Sequence, residues 1–219
     1  MNRADVLLFD LDGCLVDSTV PITTCMNLAL ERVGLPARAP SELVRFIGPP
    51  LPASFVTLLE EAGADPTLAP RCVEAYRAAY QEESVRSTQV VDGIEQALDT
   101  LVGTAVLAVV TSKPRAFALP IVEHLGLVSR FAAVHGPVAD LQGEPKATTL
   151  RRALADVAPT ADPTQVVMVG DREHDVLAGR ECRTRTVGVT WGSGSAEELL
   201  RAGADHLVTT PVELVEVLR

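Results

Sequence analysis

Asp10 and Asp12 stand one residue apart, directly after the apolar run Val6-Leu7-Leu8-Phe9 and just before Gly13. Carboxylates this close repel one another, and both stay ionised only where a cation is near. A hard divalent ion such as Mg²⁺ takes oxygen ligands of this kind and keeps several of its waters. The spacing therefore allows a Mg²⁺ site in which one carboxylate is left free to attack an electrophile. A pair of solvated acids in a loop is the other reading these two residues permit.

Further along the chain, other polar groups follow short apolar runs in the same way. Thr111-Ser112 follows Ala105-Val106-Leu107-Ala108-Val109-Val110, and a hydroxyl beside backbone N–H groups at a helix start suits an anionic oxygen, or simply caps the helix. Gly170-Asp171 follows Val166-Val167-Met168-Val169, with Asp175 four residues on. Lys146 opens a helical pattern through Leu150, Ala153 and Leu154, an end where a cation opposes the helix dipole unless an anion offsets it. Continuous apolar runs of four to six residues read as strands buried on both faces of a parallel sheet. Open sheets of that kind present ligands at the carboxyl ends of their strands, where these polar residues stand.

Asp10-Leu11-Asp12-Gly13-Cys14-Leu15-Val16-Asp17 completes the pattern DxDGxLxD, and Gly170-Asp171-Arg172-Glu173-His174-Asp175 completes GDxxxD. With Thr111 and Lys146 in order between them, the chain resembles the haloacid dehalogenase (HAD) superfamily over nearly its whole length. The resemblance implies a Rossmann-like α/β core, a doubly wound parallel sheet formed by residues 1–17 and 89–219. It also implies an all-helical C1 cap inserted over residues 18–88, where the helical patterns at Ile22–Val33, Phe55–Ala62 and Leu68–Ala79 leave no convincing strand. Asp10 is then the nucleophile and Asp12 the acid and base. Mg²⁺ is held by Asp10, the backbone carbonyl of Asp12 and Asp171, with Asp175 acting through a metal-bound water or by orienting its loop. Gly13, Thr111, Ser112 and Lys146 face the phosphoryl group, and Arg45, in the cap segment Arg45–Leu51, is the candidate cation for the rest of the substrate, or else a solvated surface arginine.

Asp12 also bears on reaction class, because dehalogenases of this superfamily lack the second acid, so the expectation is hydrolysis of a phosphate ester. The cap loop and Val187-Gly188-Val189-Thr190-Trp191-Gly192 look most like the phosphoglycolate phosphatase group. Nucleoside 5′-phosphates, sugar phosphates and a β-phosphoglucomutase-like transfer share the motifs. A non-catalytic binding module would lack one of Asp10, Asp12, Lys146 or Asp171, and none is missing.

Composition bounds the partners. Over 219 residues the net charge is −10, which disfavours a nucleic acid polymer but leaves room for a small phosphorylated metabolite. The four cysteines form no CxxC pair, no N-terminal run has the length of a signal peptide, and no stretch is long and apolar enough to span a membrane. The expectation is a cytoplasmic monomer or homodimer with free thiols.

Overall fold

The computed structural model describes residues 4–138 and 144–219, so residues 1–3 of the N-terminal segment read above lie outside it. Its elements in chain order are β1 (Val6–Phe9), β2 (Val16–Asp17), α1 (Thr19–Arg32), α2 (Pro40–Leu43), α3 (Leu51–Glu61), α4 (Ala69–Ser87) and β3 (Gln89–Val90). There follow α5 (Ile94–Leu101), β4 (Val106–Val110), α6 (Arg115–His124), β5 (Ala133–His135), α7 (Lys146–Val157) and β6 (Val166–Gly170). The chain ends with α8 (Glu173–Glu181), β7 (Arg185–Val189), α9 (Ala196–Ala202), β8 (His206–Val208) and α10 (Pro211–Leu218). It divides into two compact units, one running up to Asp17 and resuming from Gln89 to Arg219, the other Ser18–Thr88.

In the first unit, six strands form one parallel sheet in the order β5-β4-β1-β6-β7-β8. Strand β1 lies at its centre, with Phe9 opposite Val109 on one side and Val169 on the other. The chain winds outward from β1 through β4 to β5, then returns to β6 on the far side of β1. That reversal makes the carboxyl ends of β1 and β6 the topological switch point, where doubly wound sheets open a crevice for ligand.

Successive strand residues point to opposite faces, and the three central strands use both. Leu7, Phe9, Leu107, Val109, Val167 and Val169 pack with Leu98 and Leu101 of α5, Ala118 and Val122 of α6, and Leu214 and Leu218 of α10. Val6, Leu8, Ala108, Val110, Val166 and Met168 pack on the other face with Leu150 and Ala153 of α7 and Ala178 of α8. The core is almost wholly aliphatic, Phe9 meeting Phe131 edge to face at 6.2 Å being its aromatic contact. The short strands β2 and β3 pair antiparallel, Val16 opposite Val90, where the chain leaves this unit and returns to it.

The second unit is helical among its described residues. Helix α4 packs against α1 and α3, burying Cys25, Met26, Phe55, Leu58, Cys72 and Tyr76, and Tyr76 stacks on Tyr80 at 5.0 Å. One helix start lacks a side-chain cap, and one helix outruns the pattern that marks it. Ser18 precedes α1 but does not cap it, because its backbone (φ −106°, ψ 14°) is not in the extended conformation from which a cap side chain reaches back. Helix α4 runs on to Ser87, well past the apolar pattern, since its last two turns bury only Tyr80 and Ser84 and so carry little periodicity.

Phe9 is fully buried at the centre of the sheet, so Phe9→Ala is expected to cost about 3–5 kcal/mol of stability. Val212→Ala, on a side chain 70% exposed, should stay within about 0.5 kcal/mol. Denaturant midpoints at equal slope read the difference.

Candidate active site

Asp10 is the first residue beyond β1, and its backbone N–H still donates to Val169 O on β6 at 2.8 Å. Asp171 follows the last residue of β6, so the parallel register alone sets the two acids side by side. Asp175 arrives on the first turn of α8, where its Oδ2 accepts the Arg172 N–H at 2.9 Å and caps the helix. That bond closes the first turn of α8, which begins at Glu173. Candidate ligand atoms of Asp10, Asp171 and Asp175 all lie within 4.8 Å of one another, and all three residues are buried.

One cation enters this cluster. Lys146, the first residue of α7, is buried with its Nζ 2.7 Å from Asp10 Oδ1 and ion-paired with Asp175 as well. The anions offset the unfavourable placement of a positive charge at a helix N-terminus. Burial by itself disfavours the charged ammonium, yet Asp10 and Asp175 hold its pKa above the ordinary lysine range.

The carboxylates are strained electrostatically in turn. Burial pushes Asp10 up to about 7 against the pull of Lys146, with Asp175 and Asp171 adding to the rise. Burial and the neighbouring Asp175 raise Asp171 to about 6, against two hydrogen bonds from Ser193. Those bonds, from the Ser193 N–H at 2.7 Å and its hydroxyl at 3.0 Å, both end on Asp171 Oδ2. The other oxygen, Asp171 Oδ1, is buried with no hydrogen-bond partner, and Asp10 Oδ1 and Asp175 Oδ1 face Lys146 without accepting a well-directed hydrogen bond. Three buried carboxylates with a single ammonium among them, and Asp171 Oδ1 left without a partner, make an oxygen set that fits a hard divalent ion.

Two glycines make the approach possible. Gly13 has φ +80°, and a Cβ there would lie 2.3 Å from Asp171 Oδ2. A Cβ on Gly192 would meet the same oxygen at 2.3 Å and Gly13 O at 2.5 Å, so only glycine lets that loop bring Ser193 onto Asp171. Trp191 pins the loop from the other side, its indole N–H donating to Cys14 O at 3.0 Å.

Asp12 stands apart from the three acids through its side chain. Its Oδ1 pairs with Lys113 Nζ at 2.6 Å. Thr111 is buried at the end of β4, where its hydroxyl oxygen accepts the Lys113 N–H at 3.1 Å, and Ser112 is exposed beside it. Arg45 lies in the helical unit, paired with Glu61 at 2.6 Å and stacked over the Phe46 ring at 4.6 Å. His135 pairs with Asp156, and Glu173 donates its backbone N–H to Glu198. Sequence reading passed over Lys113 and Ser193. Lys113 directly follows Thr111-Ser112, and the glycines flanking Ser193 mark a close approach of backbone to another group.

Comparison with known proteins follows the same lines. The chain matches the haloacid dehalogenase-like hydrolase family over residues 7–189. It is 34% identical to a 5′-nucleotidase of Pseudomonas aeruginosa, over 97% of this chain and 94% of that protein. It is 29% identical to a phosphoglycolate phosphatase of Chromobacterium violaceum, over 100% of this chain and 98% of that one. The crystal structure of a predicted phosphatase from Clostridium acetobutylicum superposes with a TM-score of 0.88 at 33% identity, covering 99% of each chain.

Raised carboxyl pKa values mean that the folded, ion-free chain binds more protons than the unfolded one between the ordinary aspartate range and about 7. The stability these groups lend is therefore present at low pH and declines as pH rises through about 6–7. A divalent ion competes with those protons, so the rise in Tm produced by Mg²⁺ over chelator is expected to be small near about pH 5 and large near about pH 8. Asp171→Asn should shrink that gap. Thermal scans across this range check it, and a gap independent of pH counts against the three acids as the ion site.

Proposed function

We propose that this chain, which belongs to the haloacid dehalogenase-like hydrolases and is a hydrolase of phosphoric monoesters, uses Asp10 as its nucleophile and acts on a small phosphorylated metabolite through an aspartyl-phosphate. A carboxylate oxygen of Asp10 attacks phosphorus, the ester P–O bond breaks, and Asp12 gives its proton to the departing alcohol. Asp12, now a carboxylate, takes a proton from water as that water attacks the aspartyl-phosphate. Inorganic phosphate leaves and Asp10 is restored.

Thr111, the Ser112 N–H and Lys146 neutralise the oxygens of the transferring group, with the tight Gly13 turn beside them. Asp10, the carbonyl of Asp12 and Asp171 hold Mg²⁺, and Asp175 orients its loop and Lys146. When bound, the ion supplies positive charge against the charge developing on the phosphoryl oxygens. The observation that supports this reading best is the ion pair from Lys146 to Asp10 inside a cluster of buried acids in which Asp171 Oδ1 has no partner.

The helical unit Ser18–Thr88 is, on this reading, a C1 cap that selects the substrate, with Arg45 as its cation for the non-transferring end. Phosphoglycolate comes first among substrates, supported by the resemblance of the cap loop and of Val187–Gly192 and by the relative from Chromobacterium violaceum. A nucleoside 5′-monophosphate is the second reading, favoured by the more similar relative from Pseudomonas aeruginosa. No described helix is long and apolar enough to cross a membrane; a cytoplasmic monomer or homodimer stays part of the proposal.

Asp10→Asn is expected to lower phosphate release by on the order of 10⁴-fold or more, with Asp12→Ala slow or inactive. Full turnover in Asp10→Asn rejects the nucleophile. Chelation of Mg²⁺ should stop hydrolysis, and persistence in excess chelator counts against the ion. Phosphoglycolate, nucleoside monophosphates and sugar phosphates assayed side by side decide the substrate, and the phosphoglycolate reading fails if its kcat/KM ranks below the others.

A further inference from the structure

The carboxyl ends of the strands hold a second, part-buried lysine that the reaction as written does not use. Lys113 and Asp12 meet at 2.6 Å although they lie 101 residues apart, and their side chains are only 7% and 14% exposed. The sheet brings them together. Strands β1 and β4 are neighbours with Phe9 opposite Val109, so the turns leaving their carboxyl ends run side by side. Lys113 stands on a well-braced turn, its backbone N–H bound to the Thr111 hydroxyl and Pro114 following at φ −51°. Burying an ammonium group costs solvation that its partner must offset. Here the pair stands among the polar groups at the strand ends, outside both apolar clusters.

The two lysines divide the acids between them. Lys146 pairs with Asp10 and Asp175, whereas Lys113 pairs with Asp12, the acid whose side chain lies outside the cluster of three. We propose that Lys113 is a positioning residue for Asp12, holding the carboxyl group where it can pass a proton to the leaving alcohol and later accept one from water. This deepens the reading above and rests on Asp12 acting as acid and base. In the first step the O–H bond of Asp12 breaks as the ester P–O bond breaks and the alcohol gains the proton. The ammonium of Lys113 then faces the carboxylate that remains and keeps it aimed at the incoming water. No proton leaves Lys113.

A misaligned acid harms poor leaving groups most, because an alkoxide needs its proton and a nitrophenolate does not. The test compares the wild type, Lys113→Met and Lys113→Arg on glycerol phosphate and on para-nitrophenyl phosphate. Lys113→Met is expected to lose about 10²-fold in kcat on glycerol phosphate with KM within about threefold of wild type. On para-nitrophenyl phosphate it should show a burst of nitrophenol equal to the enzyme present, followed by slow turnover, because the second step still needs an aimed base. Lys113→Arg, which keeps the charge and the donors, should recover most of kcat.

Loss confined to KM and equal on both esters makes Lys113 a substrate-binding cation and overturns the proposal. Wild-type kcat on both esters in Lys113→Met overturns it too. If Lys113→Met does not fold, Lys113→Gln carries the same comparison. Failure of the underlying reading shows separately, as undiminished turnover in Asp12→Ala, and takes this proposal with it.

Discussion

Buried negative charge is what the rest of this molecule is arranged to hold. Asp10, Asp171 and Asp175 crowd within 4.8 Å of one another with Lys146 as the cation among them. Three acids against one base leave an excess that burial makes expensive, which is why Asp10 and Asp171 sit well above the usual aspartate range. Such a cluster persists only because the backbone around it is over-determined. The carboxyl ends of two neighbouring parallel strands deliver two of the acids, a helix cap delivers the third, and a glycine-lined loop closes on them.

The apolar sheet and the polar crevice are therefore one design. Residues 6–9, 106–110 and 166–170 are apolar on both faces because helices cover both faces. That double burial makes the strand ends rigid, and rigid strand ends are what hold charged groups at fixed distances against their mutual repulsion. Ser193 illustrates the point from the outside. By binding one oxygen of Asp171 twice, it leaves the other oxygen without a protein partner and turned to a single use. A buried carboxylate oxygen without a protein partner calls for one, and a bound ion would supply it.

Much of this was legible beforehand, for identifiable reasons. Apolar runs of four to five residues, rich in valine and bounded by polar turn residues, read as central strands, so β1, β4 and β6 were readable from the sequence. Helix ends were less so. Ser18 has the right chemistry for a cap but the wrong backbone, and Asp175 closes the first turn of α8, a role hidden behind the acid's more obvious chemical use. The second half of α4 carried no apolar stripe to read.

What the sequence by itself determined is the inventory: acids at the ends of apolar runs, a lysine and a threonine in later turns, a helical block between residues 18 and 88, and a family pattern spanning them. Side-chain type and short-range spacing are local properties, and the chain states them outright. Only the tertiary structure decided which base serves which acid. Lys113 could not be assigned to Asp12, nor Ser193 to Asp171, because those partners are 101 and 22 residues apart and meet through strand order and loop closure. Strand order follows from how whole apolar faces are covered, a property of the folded chain that no short stretch of residues contains.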